Sequence, residues 1–147
     1  MINQREVKLK NGKKIKLSAD TNTLLAFKQC YGIDFKAAEI ETDKYSLKAK
    51  LLLNQLERKQ QNKDLSLDEI ELIVEEHQKN MLILVDNYKG LTDEQLAVSM
   101  ILSINPELTR EKIEEMIIDD MLDFESELYK AVFYLRPMLN IVLKKKI

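Results

Sequence analysis

The sequence predicts a mainly helical protein, in which an N-terminal β-hairpin is followed by a bundle of five or six helices. Three observations carry this. The stretch "VKLKNGKKIKL", Val7 to Leu17, alternates apolar and charged residues with period two, as a half-buried strand does. Most of the chain beyond Leu17 repeats its apolar residues every three or four positions, the mark of an amphipathic helix. Three Gly and two Pro in 147 residues leave little turn material, so the helices are expected to be long. With 45% hydrophobic and 33% charged residues the balance is globular, and the length suffices for one core. A single domain over 1–147 is therefore expected, with residues 1–40 as hairpin plus first helix and 43–147 as the helical body.

Parity selects the turn of the hairpin. A two-residue loop of Asn11 and Gly12 would oppose Val7 to Lys16 and split the apolar set between the two faces. A three-residue loop, Lys10-Asn11-Gly12 with Gly12 in the left-handed bulge position, opposes Val7 to Ile15. Val7, Leu9, Ile15 and Leu17 then share one face, and the Lys stay in water. Asp20 or Thr21 can cap a helix carrying Leu24, Phe27 and Tyr31, which Gly32 terminates. A short segment from Ile33 to Ile40 precedes a helix over 43–61 with Tyr45, Ala49, Leu52 and Leu56 in one stripe. Ser66 and Glu69 make a capping box for a helix over 67–89, closed by Gly90. Thr92 with Gln95 opens a helix through Ile104, which Pro106 stops. Thr109 then caps "REKIEEMIIDDMLDFESELYKAVFYL", read as one long helix that Pro137 kinks or restarts. Its apolar side is broad, and Glu115, Asp119, Asp120, Asp123 and Glu127 are placed opposite. Such breadth implies burial between several helices or contact with a partner.

The net charge of −2 conceals a polarity: residues 1–17 balance to +5, residues 64–127 to −14, and residues 128–147 hold five bases and no acid. The five Lys of 7–17 lack the interleaved aromatics that stack bases, and the acidic middle repels phosphate, so nucleic acid is not the expected partner. A helix-turn-helix around Asn105-Pro106 fails for the same reason: its second helix carries Glu111, Glu114, Glu115, Asp119 and Asp120 against Arg110 and Lys112. The longest apolar run, "MLILV" at 81–85, is too short to span a bilayer, and "MINQREVKLK" has no secretory h-region. A cytoplasmic location is expected, in keeping with the single Cys30. Catalysis is not expected. His77, the one histidine, falls in an apolar helical stripe and reads as a core or interface residue, and Cys30 reads as a small core residue. The acids Glu115, Asp119 and Asp123 at i, i+4, i+8 read as a solvated face rather than a cation site. There is no glycine-rich phosphate loop and no serine nucleophile motif. No metal or cofactor is expected.

The opening third resembles the tail assembly chaperones of long-tailed bacteriophages and prophages of Gram-positive hosts. The resemblance rests on the basic hairpin "VKLKNGKKIKL", on "LLAFKQCYGIDF" with its aromatic-Gly-Ile-Asp helix stop, and on the acidic helical body beyond them. It covers residues 5–40 by motif and the remainder only by helical content and length. It implies a non-enzymatic protein of the host bacterial cytoplasm that binds the tape measure protein and helps recruit tail tube subunits, with self-association possible. An exposed apolar surface with adaptable Met would suit that work. Met116, Met121, Leu122, Phe124 and Phe133 are the candidates, with Met138, Ile141, Val142 and Leu143 beside them. The alternative is a small phage or prophage regulator whose basic ends bind a protein partner or nucleic acid.

Overall fold

The hairpin forms with the register that parity requires. In the computed structural model, which describes residues 3–62 and 64–145, β1 (Gln4–Lys8) pairs antiparallel with β2 (Lys14–Ser18), and Val7 opposes Ile15. The Gly12 N–H donates to the Leu9 carbonyl at 2.9 Å, and Gly12 takes φ +86°, the left-handed conformation the bulge needs. Val7, Leu9, Ile15 and Leu17 are all buried.

Six helices follow: α1 (Thr21–Tyr31), α2 (Phe35–Gln60), α3 (Leu67–Asp86), α4 (Asp93–Leu102), α5 (Arg110–Met121) and α6 (Glu127–Lys145). The mainly helical fold with an N-terminal hairpin is thus observed. Asp20, not Thr21, caps α1: its carboxylate accepts from the Thr23 N–H while the Thr23 hydroxyl accepts from the Asp20 N–H. Ser66 caps α3, and Thr92 with Gln95 forms the capping box of α4.

Four boundaries differ from expectation. No Gly or Pro interrupts residues 35–60, so the segment near Ile33–Ile40 and the next helix are one, α2, with the Asp34 carboxylate accepting from the Ala37 N–H. α3 ends at Asp86, where the Asn87 N–H caps it, before Gly90 is reached. The long helix after Thr109 is broken: α5 stops at Met121 and Ser126 starts α6. The Ser126 hydroxyl donates to the Asp120 carbonyl at 2.8 Å and accepts from the Tyr129 N–H at 3.0 Å, so one side chain ends one helix and begins the next. Pro137 does not break α6; helix continues on both sides of it. Phe133 and Pro137 are both exposed, so water can satisfy the Phe133 carbonyl that proline leaves unpartnered. Lys146 and Ile147, the end of the basic tail, lie outside the described residues.

The elements make two compact units. The first holds residues up to 37 and from 91 onward. Here α4 is central. Leu96 to Ile101 are buried without interruption, because beyond its first turn α4 is packed against α1, β2, α5 and α6. Phe27, Leu17, Ile113, Ile117, Leu128, Leu135 and Leu139 complete this core. The second unit, residues 38–90, is the helical pair α2 and α3, in which α3 has no buried residue. Its internal seam contains the α2 stripe expected from the sequence, Tyr45, Ala49, Leu52 and Leu56, all half-buried, with the Tyr45 and Tyr88 rings edge to face at 4.7 Å.

Candidate partner-binding surface

The acidic end of α5 and the start of α6 hold one edge of the hairpin. The Lys10 N–H donates to both Asp120 carboxylate oxygens, at 3.2 and 3.5 Å, and the Lys8 N–H donates to Glu127 Oε2 at 2.9 Å. Alternate N–H groups of a strand edge point the same way, so two carboxylates here occupy the place of a third strand. Asp120 is 2% exposed, contrary to its expected place on a solvated face. The Lys10 ammonium meets Asp123 at 3.2 Å and the Asp119 carbonyl at 3.3 Å. Asp123 lies beyond the end of α5, so Glu115, Asp119 and Asp123 do not share one helix face. A backbone N–H from Glu125 and then the Lys10 ammonium hold the Asp123 carboxyl below its ordinary value.

The other edge of the hairpin is occupied too. Asn105 Nδ2 donates to the Lys16 carbonyl at 2.9 Å, and the Thr23 hydroxyl to the Ser18 carbonyl at 2.7 Å. Arg110, one of the two bases on α5, is also engaged. It donates to Glu114 at 2.6 Å and to the Cys30 carbonyl at 2.7 Å, and stacks 4.5 Å from the centre of the Tyr31 ring. Burial raises the Cys30 thiol above its ordinary value and is the main cause that raises the Tyr31 phenol, so both stay protonated at neutral pH.

What the break between α5 and α6 leaves outside is an apolar ridge. Leu122, Phe124 and Phe133 are 79%, 73% and 77% exposed. Phe124 meets Tyr129 edge to face at 5.1 Å, and Tyr129, Phe133, Pro137 and Ile141 follow at four-residue spacing along α6. Ile118, on α5 one turn before Leu122, is exposed as well. The Tyr129 hydroxyl donates to Asp93 at 2.9 Å, which fixes the middle of the ridge to the first turn of α4; that bond, with burial second, raises the phenol.

Of the nine residues singled out from the sequence, Leu122, Phe124, Phe133 and Ile141 belong to this ridge. The other five are half-buried and lie elsewhere. Met138 sits one turn beyond Tyr134, which lines a groove of about 420 Å³ along β1 and carries Arg5 3.9 Å from its ring centre. The Lys13 ammonium lies 3.8 Å from the Met116 sulfur, at the hairpin tip. Leu143 lines a separate groove of about 290 Å³ with Leu24, Leu25 and Phe35. Met121 stands beside the buried face of α5 and Val142 beside that of α6. Ile118, Tyr129 and Pro137 were not among the nine, although their four-residue spacing from Leu122, Phe133 and Ile141 was a usable signal.

Among the described residues no group of three or more His, Cys, Asp and Glu is arranged to hold a metal ion, and no helix is long and apolar enough to cross a membrane. No protein-family model, curated protein or solved structure matches the chain.

Proposed function

We propose that this chain is a non-enzymatic tail assembly chaperone of a long-tailed bacteriophage or prophage, one that binds the tape measure protein and helps recruit tail tube subunits in the host cytoplasm. The observation that supports this reading best is the exposed ridge from Leu122 and Phe124 through Phe133 to Ile141. It is a row of large apolar side chains on α6 and the turn before it, suited to the apolar stripe of a long amphipathic helix. The resemblance of residues 5–40 to that family supplies the identity of the partner. The acidic surface around α5 suits a basic helical partner and repels nucleic acid.

Co-expression with the product of the next long open reading frame, which this reading takes to be the tape measure protein, tests it. A soluble complex is expected with the parent chain, and Phe124→Ser/Phe133→Ser is expected to weaken it at least tenfold while leaving helicity unchanged. No complex with the parent chain sinks the proposal. Salt-sensitive retention on DNA in place of that complex would favour a regulatory protein.

A further inference from the structure

The two broad faces of the α2–α3 pair are unlike. The Tyr45–Tyr88 contact at one end and the Lys59–Glu76 ion pair, 3.6 Å, at the other set the two helices level, so that Leu53 stands beside Met81. At about 100° per residue, one face carries Gln55, Lys59, Glu76 and Asn80, followed by Lys44, Lys48 and Asn87, around small polar clefts. The other carries Leu53 from α2 and Leu67, Ile70, Val74, Met81 and Val85 from α3. None of these six is buried, and Leu67 and Val85 are 82% and 52% exposed. The apolar stripe of α3 is thus wider than α2 covers.

Charge selects what covers the rest. Between Lys44 and Lys59, α2 has five bases and one acid, whereas α3 has six acids and one base. Two such pairs can stack by their apolar faces about either of two dyads. A dyad across the helices lays α3 on α3 and α2 on α2, like charge on like. A dyad along the helices lays α3 of each copy antiparallel on α2 of the other, opposite charge on opposite. We infer that residues 38–90 are a self-association module: a second copy of this chain covers the Leu53–Val74–Val85 face, forming an antiparallel four-helix bundle with α3 on the partner's α2. The inference uses residues 38–90 alone and stands apart from the tail-assembly reading.

Light scattering on the full chain, coupled to size exclusion, tests it. The parent is expected at about twice the 17.2 kDa chain mass. Ile70→Glu/Val85→Glu, at positions already exposed in the single chain, is expected at the monomer mass with unchanged helicity. A monomeric parent near 100 µM, on the order of the concentration at which a micromolar dimer is saturated, overturns the inference, as does a dimer indifferent to the two Glu. Disulfide trapping tests the arrangement in a Cys30→Ala background. Leu53→Cys and Met81→Cys chains are expected to cross-link when mixed and not when separate; cross-linking of each alone overturns the stacking of α3 on α2.

Discussion

The two units use similar helices to opposite effect. α4 has ten residues and buries six in a row, while α3 has twenty and buries none. The difference does not lie in apolar content, since α3 contains Leu67, Ile70, Leu72, Ile73, Val74, Met81, Leu82, Ile83, Leu84 and Val85. It lies in the number of neighbours. α4 is surrounded by α1, α5, α6 and β2, whereas α3 meets α2 through the Tyr45–Tyr88 ring contact and the Lys59–Glu76 ion pair. An apolar side chain contributes to stability according to the surface it removes from water, so the same residue type has different worth in the two units.

Three comparisons sharpen this contrast. The largest effect is expected at α4: Leu96→Ala should cost about 2–5 kcal/mol in urea unfolding, whereas Leu82→Ala on α3 should stay within about 0.5 kcal/mol. Equal costs would mean that the second unit is as tightly packed as the first. Next comes the carboxylate that closes the hairpin edge. Asp120→Ala should cost about 1–3 kcal/mol, since it leaves the Lys10 N–H without its acceptor, and Asp120→Asn, which keeps an oxygen there, should cost less. If Asn costs as much as Ala, hydrogen bonding is not what Asp120 contributes. The smallest effect concerns pH. The Asp123 carboxyl is held below its ordinary value of 3.8, so its stabilising contribution is present above that value and is lost as pH falls through the folded-state value. The melting temperature of Asp123→Asn should therefore match the parent more closely in acid than at neutral pH, and a constant gap would contradict the pairing with Lys10.

The hairpin was legible in detail because period two and parity are local rules. Residues seven to nine apart decide the loop length, and nothing distant can overrule them without splitting the apolar face. The caps at Ser66, Thr92 and Thr109 were legible for the same reason. The break between α5 and α6 was not, because 110–135 contains no Gly or Pro and a Ser126 cap resembles any other serine in a helical pattern. Asp120 went unread for a related reason. It follows Ile113 by seven and Ile117 by three, which puts it inside the buried stripe, yet its charge argued for water. Only the hairpin, brought from the far end of the chain, supplies the N–H group that makes burial tolerable. For the candidate surface, the sequence marked the apolar residues of α5 and α6 but could not say which were outside. That depends on where α5 ends.

The first unit is interrupted, and the interruption orders events during synthesis. Val7 and Leu139 belong to one core, and Lys8 waits for Glu127. The hairpin leaves the ribosome with its apolar face bare; α4 can cover β2 once it emerges, and β1 waits for the last helix. The contacts between α2 and α3 lie within residues 38–90 and can form as soon as α3 is translated. An early-forming inserted segment brings the two halves of the split unit closer together and shortens the loop that the late contacts must close.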